Sequence, residues 1–262
     1  MEIIENLQVF VFYKDQLLVK KENDVTLRIP LGGELPEFSF QEKHIQTVSF
    51  ADGREVQTIA ADEIIEEDGH WKMIGLRASY DVLTLPDYQT AGKAYQILYW
   101  DSHSQFCPVC GTAMVQQTPI MKKCMLCNHE MYPPISTAII VLIRRGEEIL
   151  LVRARNFKGT FHGLVAGFLE AGETLEQCVE REVWEETKLR IKNITYFGSQ
   201  PWPYPSGLMV GFIADYDSGE LKLQDEELKE AAFFTKDNLP EIPRKLSIAR
   251  KLIDWWLEHP KE

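Results

Sequence analysis

Two stretches of the chain share one hydrophobic pattern. In "LQVFVFYKDQLLVKK", residues 7–21, apolar runs flank the polar turn Lys14-Asp15, which predicts a β-hairpin. In "AIIVLIRRGEEILLVRAR", residues 138–155, similar runs flank Arg145-Gly146-Glu147. Both read apolar run, charged turn, Leu-Leu-Val, basic residue. This internal repeat predicts that the first domain is a decayed copy of the last. Beyond it, the periodicity predicts strands near 137–144, 148–154, 191–198 and 208–216, with helices at 174–187 and near 244–258. Such alternation is an α/β (α+β) layer architecture with a mixed sheet. Residues 1–100 read as a β-rich domain, residues 101–134 as a small separate module, and residues 135–262 as the α/β domain. The paired prolines of "PPIS" at 133–136 mark the linker between the last two.

The helix at 174–187 carries the first chemical signal. At 100° per residue from Leu175, the positions Leu175, Cys178, Val179 and Val183 form one apolar arc. Glu182 and Glu186 fall at about −20° and +20°, inside that arc, with Glu185 at its edge near −80°. Glu176 and Glu180 point the other way, as on an ordinary solvated face. Carboxylates on the core side of a helix are costly unless paired or metal-bound. Their i, i+4 spacing stacks them on adjacent turns, and hard oxygen donors favour Mg2+ or Mn2+. No comparable acidic stretch occurs in the first half of the chain, so catalysis is expected only in the last domain.

Charge and cysteines narrow the setting. The formal net charge is −12, which gives no general attraction for nucleic acid or anionic lipid. Lys122-Lys123 is the candidate local basic patch. No apolar run reaches membrane-spanning length, and the acidic start "MEIIEN" lacks the features of a secretory signal. A cytoplasmic protein is expected. Cys107, Cys110, Cys124 and Cys127 form two C-x2-C knuckles thirteen residues apart, the spacing of a four-thiolate Zn2+ site. A full thiolate shell leaves no open position, so this zinc is expected to be structural. Cys178 lies apart and reads as a small core residue.

The acidic stretch also has a family likeness. Gly167, Glu173, Arg181, Glu182, Val183, Glu185, Glu186 and Leu189 resemble the Nudix box, G-x5-E-x7-R-E-U-x-E-E-x-G-U. Only its last glycine is replaced, by Lys188. The resemblance implies an α/β/α Nudix sandwich and hydrolysis of a nucleoside diphosphate derivative. It makes Glu182 and Glu186 catalytic metal ligands and Glu185 a further ligand or an assistant base, with Glu186 by expectation the general base. Glu173 would brace the loop by pairing with Arg181. A left-handed conformation at Lys188 would cost roughly 1 kcal/mol, offset in part by its charge at the helix end.

A second stretch, "SQPWPYPSGLMVGF" at 199–212, resembles the SQPWPFP signature of NADH pyrophosphatases, which also remove NAD caps from RNA. That subfamily carries a zinc ribbon and a Nudix-like N-terminal domain as well. Tyr204 stands where the signature has phenylalanine. Prolines 201, 203 and 205 stiffen the loop before any ligand arrives, and Trp202 and Tyr204 offer ring surface for stacking. By the resemblance, Gln200, Pro201, Trp202, Pro203, Tyr204, Pro205, Ser206 and Gly207 contact substrate, as do Tyr132, Ala166 and Ala249. Glu227 would be a further metal ligand, with Glu226 the adjacent alternative. The acidic residue that the subfamily places between the cysteine pairs is missing from "QQTPIMKK". The implied substrates are NAD(H) or the 5′ end of NAD-capped RNA, the implied assembly a homodimer. The alternatives are a Nudix hydrolase of another nucleoside diphosphate derivative and a non-catalytic Nudix-fold sensor, which intact box glutamates disfavour.

Overall fold

The computed structural model of the chain describes residues 2–23, 26–155, 160–223 and 228–259. These divide into two compact units, Met1–Pro134 with Pro203–Ser206, and Ile135–Trp202 with Gly207–Glu262.

The first unit begins with β1 (Val9–Tyr13) and β2 (Gln16–Lys21), the antiparallel hairpin its alternation predicts, turning at Lys14 with φ +54°. β3 (Leu27–Arg28), β4 (Phe40–Ser49), β5 (Glu55–Ala61) and β6 (Trp71–Gly75) complete a six-stranded sheet in the order β3-β2-β1-β5-β4, with β6 on β2. β1 and β5 run parallel. Helix α1 (Leu85–His103) covers one face, where Phe10, Phe12, Leu17 and Val19 meet Ala91, Ala94, Ile97 and Leu98. The region was expected to be β-rich, and its sheet bears this out; the nineteen-residue helix is an addition to that reading. Its buried face includes Thr90, Ala91, Gly92 and Ala94, small residues that give a faint apolar stripe.

A three-stranded sheet follows: β7 (Met114–Thr118), β8 (Met121–Cys124) and β9 (Glu130–Met131). It is tied to the end of α1 by Lys122, which is buried. Its Nζ lies 2.7 Å from Asp101 Oδ1 and donates to the Asp101 carbonyl at 3.0 Å. The expected basic patch at Lys122-Lys123 is therefore corrected. Lys122 is neutralised inside the fold, because a buried ammonium needs a carboxylate partner. Lys123 Nζ lies 3.7 Å from Glu130.

The second unit contains β10 (Ser136–Arg145), β11 (Glu148–Ala154), β12 (Val165–Phe168), α2 (Leu175–Thr187), β13 (Arg190–Trp202), β14 (Gly207–Ser218), β15 (Leu228–Phe234) and α3 (Ile248–Glu258). The sheet order is β13-β14-β10-β11-β15, with β12 on β10. β10 and β14 are parallel and the other pairs antiparallel, so the sheet is mixed. Both faces are covered. Ile139, Val141, Ile143, Leu150 and Val152 pack with Cys178, Val179 and Val183 of α2. Ile140, Leu142, Ile149 and Leu151 pack with Ile248, Leu252, Ile253 and Trp256 of α3. Double burial explains why β10 reads as one continuous apolar run rather than an alternation. The result is the expected α/β/α sandwich.

Candidate active site and metal centre

Thr174 starts α2 with a capping box. Its Oγ1 accepts from the Gln177 amide at 3.2 Å, and Gln177 Oε1 accepts from the Thr174 amide at 2.8 Å. With the start fixed, the register of the helix fixes which acids turn inward. Glu182 is 9% exposed and Glu186 6%, whereas Glu176, Glu180 and Glu185 are exposed. Glu182 rests directly on the backbone of Gly167 in β12. A Cβ added at Gly167 would lie 1.9 Å from Glu182 Cδ. Glycine at this position is a space requirement of the carboxylate.

Arg181 organises the acids around it. Its Nε and Nη2 donate to the two oxygens of Glu173 at 2.6 and 2.9 Å, a bidentate pair. Nη1 donates to Glu182 Oε1 at 2.9 Å and to Glu185 Oε2 at 3.0 Å, and Nη2 also reaches the Phe168 carbonyl at 2.9 Å. One guanidinium thus joins the strand end, the loop and two turns of helix. Hydrogen bonding to Arg181 holds the Glu173 carboxyl down to about 2, and the Glu170 amide, donating to its Oε2 at 3.0 Å, assists. Cys178 is fully buried, and burial pushes its thiol up to about 11.

The helix ends as its sequence required. Lys188 adopts the left-handed conformation, φ +59° and ψ +17°, with its amide bonded to the Trp184 carbonyl at 3.0 Å. Its Nζ lies 5.6 Å from the Trp184 ring centroid, and Arg190 Cζ lies 4.6 Å from the same ring. Lys188 takes no part in the carboxylate group.

The remaining candidates are spread over both units. Gln200 donates Nε2 to the Leu246 carbonyl at 2.9 Å, and its buried Oε1 has no hydrogen-bond partner among the described residues. Pro201 and Trp202 end β13, paired with Leu208 and Gly207. Pro203, Tyr204, Pro205 and Ser206 group with the first unit. Tyr204 bonds its hydroxyl to that of Tyr88 at 2.6 Å, a partner that pattern reading missed, since 116 residues separate the two in sequence. Tyr132 is 55% exposed and donates to Glu130 at 3.3 Å. Ala166 on β12 and Ala249 on α3 both join the packing on the α3 side of the sheet, and Ala249 is buried there. Glu227 and Glu226 lie outside the described residues.

In the first unit Cys107, Cys110, Cys124 and Cys127 converge, their ligand atoms all within 4.8 Å of one another. Three of the Sγ–Sγ separations are 3.4, 3.6 and 3.6 Å. A tetrahedron with Zn–S bonds of about 2.3 Å has edges of about 3.8 Å, so the four sulfurs fit such an ion. All are free thiols, as is Cys178. Together they form a group that could hold a metal ion. Hydrogen bonding to Thr112 draws the Cys110 thiol down to about 6, while desolvation and the thiols crowded around it push that of Cys127 up to about 12.

A sandwich of this kind, with paired acids on the core side of one helix, defines a class, and sequence comparison agrees with it. Residues 133–256 match the NUDIX domain, and residues 7–100 match the NADH pyrophosphatase-like rudimentary NUDIX domain. The chain belongs to the Nudix hydrolase family, in the group that joins these two domains. Among its relatives is the NAD-capped RNA hydrolase NudC of Pseudomonas aeruginosa, 41% identical over 210 residues, covering 78% of this chain and 74% of that one. The protein of the same name from Pseudomonas syringae is 40% identical over 230 residues, covering 86% and 80%. A solved NUDIX hydrolase from Nitrosomonas europaea shares the fold, with a TM-score of 0.50 at 22% identity over 59% of this chain and 90% of that one. Among the described residues no helix is long and apolar enough to cross a membrane.

Proposed function

We propose that the protein hydrolyses the pyrophosphate of NAD(H) to nicotinamide mononucleotide and AMP, and removes NAD caps from RNA 5′ ends. The observation that carries the reading is the buried pair Glu182 and Glu186, set on one helix face beside a carboxylate-bridging arginine. The names of the relatives supply the substrate class. Mg2+ or Mn2+, held by Glu182, Glu185, Glu186 and Glu227, would neutralise the diphosphate and lower the pKa of a bound water. The chain's own part is to place these carboxylates before substrate arrives. Arg181 fixes Glu182 and Glu185, and Gly167 leaves room for Glu182. A box carboxylate, Glu186 by preference, takes the proton from water as its oxygen bonds to a phosphorus and the bridging P–O bond breaks.

The proline-aromatic loop supplies the dinucleotide contact in this reading, from Gln200 to Gly207, with Tyr132, Ala166 and Ala249. The four-cysteine group holds a structural Zn2+. A homodimer in the cytoplasm belongs to the same proposal, supported by the subfamily resemblance and by two cysteine pairs suited to a reducing compartment. The test incubates the full chain with Mn2+ or Mg2+ and either NADH or NAD-capped RNA, with Glu186→Gln in parallel. Chromatography should show nicotinamide mononucleotide from the wild type and a rate at least about 100-fold lower from the variant. Release of product from neither substrate, or equal release by the variant, would sink the mechanism.

A further inference from the structure

The first unit has no counterpart of the box helix among its described residues, yet it holds the middle of the proline-aromatic loop. Pro203 is buried against α1 at Gly92, where an added Cβ would sit 2.9 Å from Pro203 Cγ. A side chain at position 92 would push the proline ring away. The Tyr204 ring lies 4.6 Å from the Arg77 guanidinium, and its hydroxyl meets the Tyr88 hydroxyl at 2.6 Å. Ser206 is buried and donates its Oγ to the Pro134 carbonyl at 2.8 Å. Three of four consecutive residues therefore have a dedicated partner in this unit, each of a different chemical kind.

The hydroxyl pair is available only because position 204 is tyrosine, where the resembled signature has phenylalanine. Burial raises both phenols above their ordinary range, so both stay protonated and one always remains as donor to the other. A loop stiffened by prolines still turns as a body about its ends. A hydrogen bond, a cation over the ring and a close-packed proline remove that freedom before ligand arrives, and pre-organisation of this kind improves affinity.

We infer that Tyr88, Arg77 and Gly92 are positioning residues for the Pro203–Ser206 loop, and that the rudimentary domain serves as the anchor of the dinucleotide-binding loop. The inference rests on the reading that this loop contacts NAD(H). Loss of one hydroxyl removes the hydrogen bond from the other, which for Tyr204 leaves Arg77 as its neighbour, whereas loss of both leaves two apolar rings in contact. The pair therefore acts as a unit, and its variants combine non-additively.

The experiment measures steady-state hydrolysis of NADH by the full-length protein with Mg2+, for wild type, Tyr88→Phe, Tyr204→Phe and the double variant. Arg77→Gln, which leaves the hydroxyl pair in place, is a second probe should Tyr88→Phe fold poorly. Tyr88→Phe should raise KM about 3- to 10-fold with kcat within about twofold, the size of one hydrogen bond. The double variant should raise KM no further than the worse single one, and Arg77→Gln should raise it in the same direction. A lowered melting temperature with KM unchanged in both Tyr88→Phe and Arg77→Gln would overturn the anchor while leaving the NAD(H) reading intact. A wild type that releases no nicotinamide mononucleotide would end both.

Discussion

Gly167 shows how one missing side chain sets the place of Glu182, a carboxylate that the proposed mechanism uses. Any Cβ there would lie 1.9 Å from Glu182 Cδ and 2.0 Å from its Oε1. The clash is with the far end of a flexible side chain, so Gly167→Ala relieves it by swinging the carboxylate aside rather than by parting strand from helix. The variant should fold with little change in melting temperature. Its kcat/KM on NADH should nevertheless fall by about 100-fold or more, because a displacement of about 1 Å in a catalytic group costs this much. A folded Gly167→Ala protein with the wild-type rate would show that the position of Glu182 is not critical. Lys188 is the opposite case. Its left-handed conformation costs about 1 kcal/mol, but the price is local. The nearby Trp184 ring and the negative end of α2 return part of it, and no ligand of the acidic group moves.

At the level of elements, the loop before α2 and the helix itself act as one piece through Glu173 and Arg181. Glu173 titrates near 2 in the folded chain, against an ordinary value of 4.5. A lowered folded pKa means that the pair's contribution is fully present above 4.5 and fades as pH falls toward about 2. The stability difference between wild type and Glu173→Gln, followed by chemical denaturation, should therefore be flat from neutral pH to about 4.5 and shrink below it. A difference that vanished already between pH 6 and 5 would contradict the pairing. The helix itself was legible from sequence because its arc of Cys178, Val179 and Val183 and its two inward acids obey one period. β10 and β11 were legible as apolar runs about a charged turn. α1 was not, since its buried face mixes Tyr88, Ile97, Leu98 and Trp100 with the small or polar Thr90, Ala91, Gly92, Ala94 and Asp101, and the residue that needs Gly92 small is Pro203, more than a hundred positions away. β12 and β15 were not read either; β12 is only four residues long. The burial of Lys122 was hidden for a similar reason, because its carboxylate partner Asp101 belongs to another element.

The two domains repeat one plan across the whole molecule. β2-β1-β5-β4 matches β11-β10-β14-β13, with the central pair parallel in each and a C-terminal helix, α1 or α3, on one face. The copy without an acidic helix keeps the scaffold and, by the inference above, a holding role. Between them in sequence, the cysteine module has a different basis for its stability. Phe106, Val109, Met125 and Leu126, which lie in or beside its two knuckles, are each about two-thirds exposed or more, so the module has no apolar centre to which they contribute. Below roughly 40 residues a fold usually needs a metal or disulfides, and in the proposed reading a Zn2+ held by the converging thiols takes that place. On that proposal, a chelator should loosen β7, β8 and β9, seen as lost amide protection there, while the amides of β10 and β14 keep theirs. Thiol titration gives the complementary count. Four cysteines should react after chelation under native conditions, and the fifth, Cys178, only on unfolding, because it is fully buried with its thiol raised to about 11. If Cys178 reacted together with the other four, the metal would be holding the box helix as well, and the division of labour between module and active site would be wrong.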